Sequence, residues 1–169
     1  PNIFSSRITP ETWQKLQAKD NPFVNRALQG FPPASTFKIV TATAGMESGK
    51  YPPNTVLNTY AYLNVGGVRF GEWNRAGFGP MGYVQALAWS SNTFFGQIGR
   101  GVGGEVLIDW ARKYGFGTKT TLELPAENSG LIADAAWKKE RFDWGWSAGD
   151  TVNMSIGQGF TLATPLQVA

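Results

Sequence analysis

The sequence predicts a mainly helical segment with short strands at its margin. Helix start and stop signals enclose apolar residues at helical spacing in several places. Strand-like runs are short, near residues 55–60 and 67–70 with a weaker one over 151–156. With 169 residues, 42% of them hydrophobic and 14% aromatic, the chain can bury a real core and does not have the composition of a disordered segment.

Thr9-Pro10-Glu11-Thr12 reads as an N-cap followed by a first-turn proline, starting a helix near residues 10–19 that Asn21-Pro22 breaks. Phe31-Pro32-Pro33-Ala34 delivers an extended approach into a helix over 35–47, closed by Ser48-Gly49. Residues 50–79 are rich in glycine and read as loop with the two short strands, and Gly66-Gly67 suits a hairpin turn. Helical pattern resumes from Gly82 to Ala88 and stops near Ser90. A further helix is expected from Asn92 to about Ile98, and another from Gly104 to Lys113, ended by Gly115. Residues 118–148 look irregular, and 151–156 alternate weakly, as a short strand would. Thr164-Pro165-Leu166-Gln167 is a helix start. So late in the sequence, it reads as a boundary within a longer chain.

Two zeros narrow the chemistry: the sequence has no Cys and no His. A Ser-His-Asp triad, a Cys-His dyad, a disulfide and a thiolate or imidazole metal site are all excluded. A nucleophile must then be Ser, Thr, Lys, Asp or Tyr, and a general base Lys, a carboxylate or Tyr. The net charge of +3 comes from 15 basic and 12 acidic residues. The basic residues are dispersed, which argues against nucleic-acid binding, where charge gathers in one stripe. No apolar run approaches the length that crosses a bilayer.

Ser35-Thr36-Phe37-Lys38 sets a hydroxyl and an amine three residues apart at the start of a helix, on one face. The free N–H groups of a helix N-terminus favour negative charge developing beside Ser35. Lys38 can accept the serine proton if burial lowers its pKa. The spacing equally fits a capping serine beside a solvated lysine. Downstream, Ser90-Ser91-Asn92 lies between two helical segments. Ser90 can relay a proton there and Asn92 can orient Lys38, or the three residues simply end one helix and cap the next. Trp137, Trp144 and Trp146 near Lys138, Lys139 and Arg141 form either a platform for sugar rings or a partner, or a loop pinned to the core. Asp143, Asp150, Glu123 and Glu127 show no paired-carboxylate spacing.

Together the two motifs resemble the first two of the set S-x-x-K, S-D-N and K-T-G found in penicillin-binding proteins and serine β-lactamases. The run Asn25-Arg26-Ala27-Leu28-Gln29-Gly30-Phe31-Pro32-Pro33-Ala34-Ser35-Thr36-Phe37-Lys38 is similar to the approach to the nucleophile in class B penicillin-binding proteins. Ala86 to Phe95 resembles their second motif. Tyr114-Gly115-Phe116-Gly117, Glu123 to Glu127, Ser155-Ile156-Gly157-Gln158-Gly159 and Ala163 to Gln167 look like later family landmarks. The likeness spans residues 1–169 and is nearest to the elongation type of the family, the penicillin-binding protein 2 group. A Lys-Thr/Ser-Gly third motif does not appear, and Lys119-Thr120-Thr121 lacks its glycine.

The resemblance implies an α+β fold, an antiparallel sheet packed between helices, with most of the sheet encoded outside these residues. Residues 1–169 are then a partial transpeptidase domain, mainly α with short peripheral strands. It implies Ser35 as acyl-forming nucleophile, Lys38 as its base, Ser90 as proton shuttle and Asn92 as the residue holding Lys38 and the substrate amide. The expected substrates are peptidoglycan stem peptides, with β-lactams as covalent inhibitors and cell-wall elongation proteins as partners. No metal or organic cofactor is implied. The site of action is the extracytoplasmic side of the bacterial plasma membrane, with an anchor outside this segment. A non-catalytic peptidoglycan- or partner-binding module of the same fold and a β-lactamase-type hydrolase are the alternatives. Without the third motif, one oxyanion donor is missing, and loss of such a donor costs on the order of 100- to 1000-fold in rate. Without the sheet, Phe37, Val40, Leu87 and Phe94 are expected to be exposed and to promote self-association.

Overall fold

The computed structural model describes residues 7–17 and 23–169. Helix α1 (Pro10–Leu16) starts as expected, with the Thr9 side chain accepting from the Thr12 N–H and a proline in the first turn. The helix ends at Leu16 with Gln17 as its C-cap, short of the residue 19 expected, and the Asn21-Pro22 break lies outside the described residues. After Pro32-Pro33 the chain first makes a 3-10 turn, Ala34–Phe37, and only then helix α2 (Lys38–Glu47). Ser35 therefore stands in a tight turn rather than in the α-helix expected over 35–47. The Thr36 hydroxyl donates to the Pro33 carbonyl at 2.6 Å, a side-chain bond three residues back that suits the tighter winding.

The Gly66-Gly67 hairpin is present, with both glycines at positive φ (60° and 82°) as a two-residue loop requires. It joins β2 (Tyr62–Val65) to β3 (Val68–Gly71), Val65 opposite Val68. The expected strand near 55–60 forms as β1 (Val56–Thr59). It pairs antiparallel with β4 (Gly79–Gly82), a strand that its Gly-Pro-Met-Gly sequence conceals.

Helix α3 (Tyr83–Ala88) follows β4, and α4 (Asn92–Val102) runs one turn past Ile98 until Gly103, at φ 92°. Helix α5 (Gly104–Lys113) follows directly. The region 118–148 is less irregular than expected. It contains β5 (Leu131–Ile132) and α6 (Ala135–Phe142), whose N-cap Asp134 accepts from the Trp137 N–H at 2.9 Å. The strand expected over 151–156 is instead the body of helix α7 (Ala148–Ser155). A reciprocal capping box between Ser147 and Asp150 nucleates that helix and overrides the weak alternation. The strand β6 (Thr161–Leu162) pairs with β5, and α8 (Pro165–Val168) is capped by Thr164.

Helices α2, α4, α5 and α7 enclose the core. Phe37, Val40, Phe94, Phe95, Ile98, Leu107 and Met154 are almost completely buried within it. Helices α4 and α7 cross closely at Gly99, where a Cβ would lie 2.4 Å from the Ser155 Cβ. The expectation of exposed Phe37, Val40 and Phe94 is thus overturned, because the helices pack on one another rather than on absent strands. Leu87 is exposed as expected, at 42%. Among the tryptophans, Trp146 packs on the core and donates from Nε1 to Thr151 Oγ1 at 2.9 Å. Trp137 packs against Phe142 and Phe160, whereas Trp144 remains 70% exposed. Among the described residues, no helix is long and apolar enough to cross a membrane.

Candidate active site

The turn that carries Ser35 is held from behind. The Ala34 N–H donates to the Gly157 carbonyl at 2.9 Å, and Phe31 exchanges two 2.8 Å backbone bonds with Ala163. Thr41 Oγ1 donates to the Ser155 carbonyl at 2.7 Å. Ala34 is held at φ 50° in the left-handed region. A non-glycine residue there costs roughly 1–3 kcal/mol and persists only where its surroundings impose it. The opposing loop has the same feature: Ser90 sits at φ 51°, between the end of α3 and the Ser91 N-cap of α4. The exposed aromatic rings Trp73 and Trp89 brace that loop, stacking at 6.4 Å while Trp73 Nε1 donates to the Trp89 carbonyl at 2.7 Å.

Ser35, Lys38, Ser90 and Asn92 converge on one point. The Lys38 amine donates to the Ser90 carbonyl at 2.6 Å, to Ser90 Oγ at 2.9 Å and to Asn92 Oδ1 at 2.8 Å. Three acceptors match the three hydrogens of an ammonium. Ser90 Oγ in turn donates to Ser35 Oγ at 2.9 Å. The link between Ser35 and Lys38 therefore runs through the Ser90 hydroxyl, rather than directly as their three-residue spacing suggested. Ser35 faces solvent while Lys38, below it, is 1% exposed.

Burial lowers the Lys38 pKa from 10.5 to about 8, against the opposing pull of the Glu72 carboxylate. Beside Asn92 opens a cavity of about 580 Å³ lined by Arg69, Phe70, Ser147, Asn153 and Gln158, among others. Its adjacency to the Asn92 amide sets space for a polar ligand beside the hydrogen-bonded hydroxyls of Ser35 and Ser90.

Glu72 was not singled out from the sequence. Its carboxylate accepts from Ser91 Oγ (2.6 Å), the N–H groups of Asn92 (3.1 Å) and Thr93 (3.0 Å), Thr93 Oγ1 (3.1 Å) and the Trp73 N–H (3.1 Å). Burial pushes its pKa up, but the bonds from Ser91, Thr93, Asn92 and Trp73 outweigh that and hold it below the ordinary 4.5. No short-range spacing marks this residue, because all its donors except the adjacent Trp73 N–H lie about twenty positions downstream.

A family model described as the penicillin binding protein transpeptidase domain matches residues 4–169. The chain is 36% identical over 173 aligned residues to the peptidoglycan D,D-transpeptidase MrdA of Escherichia coli K12, an alignment covering 100% of this chain and 27% of that protein. The chain thus spans about a quarter of that curated relative. Among solved structures, Pseudomonas aeruginosa PBP2 in complex with WCK 5153 superposes with a TM-score of 0.86 at 30% identity, over 99% of this chain and 39% of that one. The PBP2 of Helicobacter pylori, solved in complex with MreC, also gives 0.86, at 36% identity, over 95% of this chain and 31% of that one. This chain belongs to the penicillin-binding protein transpeptidase family, and it resembles the PBP2 members of that family.

Proposed function

We propose that residues 1–169 are part of a D,D-transpeptidase domain that cross-links peptidoglycan through an acyl-enzyme on Ser35. The observation that carries this reading is the hydrogen-bonded chain from Lys38 through Ser90 to Ser35. For attack the chain runs in the reverse sense: Ser35 donates to Ser90, and Ser90 donates to a neutral Lys38. With a pKa of about 8, roughly one lysine in ten is neutral at pH 7, enough to act as base.

In the first step a bond forms between Ser35 Oγ and the penultimate D-alanine carbonyl of a stem peptide. The amide bond to the terminal D-alanine breaks, and the proton taken from Ser35 returns through Ser90 to that leaving amine. In the second step an amine of a neighbouring stem attacks the ester, forms the cross-link and returns a proton to Ser35. Asn92 donates through its amide toward the acyl chain while its carbonyl holds Lys38. A β-lactam enters by the same first step, its ring C–N bond opening, and remains as a stable ester.

The substrate places the activity on the extracytoplasmic side of the bacterial plasma membrane. The complex of Helicobacter pylori PBP2 with MreC supports cell-wall assembly proteins as partners. Acylation by a fluorescent penicillin, followed by turnover, tests the reading on the full-length protein. A transpeptidase labels and holds the label, a hydrolase labels transiently, and a binding module does not label. Either of the last two outcomes overturns the assignment.

A further inference from the structure

The carboxylate of Glu72 lies just outside the group of residues assigned to the reaction, yet it organises two of them. It receives the first two backbone N–H groups of α4, those of Asn92 and Thr93, together with two hydroxyls and the Trp73 N–H. An anion at the N-terminus of this eleven-residue helix is favoured by the free N–H groups and the helix dipole. The same strand end is stitched to the same turn a second time, since Asn92 Nδ2 donates to the Gly71 carbonyl at 3.2 Å.

We propose that Glu72 is a positioning residue for this site: it clamps the Ser91–Thr93 turn and so holds Ser90 and Asn92 on the Lys38 amine. The inference rests on the reading of Ser35 as nucleophile. Asn92 is shared by both networks, with its N–H on Glu72 and its side-chain oxygen on Lys38. Ser90 is held between the same two, being joined to the clamped Ser91 and bonded twice to Lys38. The left-handed backbone of Ser90 needs such an external restraint.

The clamp also has an electrostatic side. The groups facing Lys38 are the neutral Ser90 and Asn92, Ser35 through Ser90, and the Phe95 ring at 5.9 Å from the amine. Glu72 acts on the amine through space and favours its charged form. Removing the charge therefore shifts the Lys38 titration to lower pH, a change that a purely structural clamp does not produce.

The test compares Glu72→Gln and Glu72→Asp in the full-length protein, reading the rate of labelling by fluorescent penicillin against pH, with melting temperature as a check on folding. Glu72→Gln is expected to slow labelling at least ten-fold and to move the acid limb of the profile to lower pH. Its amide puts N–H groups against backbone N–H donors, so the clamp loosens as the charge is lost. Glu72→Asp keeps the charge with a shorter reach. It is expected to leave the limb in place, to recover part of the rate and to stay several-fold below the unsubstituted protein.

Labelling of both variants within two-fold of the unsubstituted rate overturns the proposal. So does a loss of rate in Glu72→Gln with an unmoved limb and no recovery in Glu72→Asp. If Glu72→Gln does not fold, the Asp variant decides alone: a several-fold loss with the limb in place supports the proposal, and an unchanged rate overturns it. An unsubstituted protein that never labels overturns the transpeptidase reading instead.

Discussion

Ser90 Oγ donates to Ser35 Oγ at 2.9 Å, although 55 positions of sequence separate the two residues. The contact is made between two backbones held in left-handed geometry, at Ala34 before one serine and at Ser90 itself. Such conformations are retained where neighbouring structure imposes them. Here the opposing supports are Gly157, behind Ala34, and Glu72, beside Ser91.

If Ser90 is the bridge, its removal interrupts the proton route without touching the nucleophile. Ser90→Ala is expected to slow penicillin labelling by about 100-fold or more, within the usual range for proton-transfer groups. Ser35→Ala should abolish labelling. Time courses on full-length variants with unchanged melting temperatures provide the check, and a Ser90→Ala rate near that of the unsubstituted protein removes Ser90 from the mechanism.

Labelling should rise with pH. The Lys38 pKa in the fold is about 8, below its ordinary 10.5, because burial disfavours the ammonium. The neutral, proton-accepting form therefore grows as pH climbs through that value, and the acid limb of the profile should centre near pH 8. The same shift bears on stability. Between about pH 8 and 10.5 an unfolded chain keeps a proton that the fold has released, so Lys38 makes the fold more stable as pH rises through that window. A labelling rate that is flat from pH 6 to 9 contradicts Lys38 as the titrating base.

The Lys138–Asp150 pair, 2.5 Å apart with both side chains largely buried, ties α6 to the capping box of α7. Burial raises the Asp150 pKa, and bonds from Lys138 and Ser147 overcome this and hold it below 3.8. Its stabilisation is therefore complete above pH 3.8 and is lost as pH falls through the lower folded value. Asp150→Ala strands the Lys138 ammonium and should cost about 3–5 kcal/mol in denaturant unfolding. Adding Lys138→Met to that variant should return much of the loss.

Ser35, Lys38, Ser90 and Asn92 were legible because short spacings group them in pairs and the resemblance joins the two pairs in one site. Ser35 and Lys38 share one turn, and Ser90 and Asn92 share one loop. Glu72 was not legible, since a single carboxylate in a glycine-rich stretch acts on a helix start twenty positions away. Helix α7 was misread although Ser147 and Asp150 stand at capping-box spacing, because Thr151 to Ile156 alternate weakly like a strand. The burial of Phe37 and Phe94 depends on how helices cross, which no local pattern encodes.

Two of the three clustered tryptophans should separate cleanly. Trp146 is packed on the core and bonded to Thr151, so Trp146→Ala should cost about 3 kcal/mol or more. Trp144 is largely exposed, and Trp144→Ala should change stability by less than about 0.5 kcal/mol. Equilibrium unfolding in denaturant measures both. A large loss for Trp144→Ala shows that this ring packs more tightly than its exposure indicates.

Gly157 links a distant landmark to the turn that carries Ser35. It sits at φ 68°, and a Cβ added there would lie 2.1 Å from the Ala34 carbonyl oxygen. Gly66, at φ 60° in the β2–β3 turn, has nothing within 4 Å of such an atom. Alanine at Gly66 therefore carries the left-handed penalty alone, about 1–2 kcal/mol. It should leave penicillin labelling unchanged. Alanine at Gly157 adds a backbone collision, which is relieved only if the Ala34 turn moves and takes Ser35 away from Ser90. Gly157→Ala is thus expected to cost more stability than Gly66→Ala and to slow labelling at least ten-fold. Unfolding curves and labelling time courses on both variants test this. Equal labelling rates would show that the position of Ser35 does not depend on the support from Gly157.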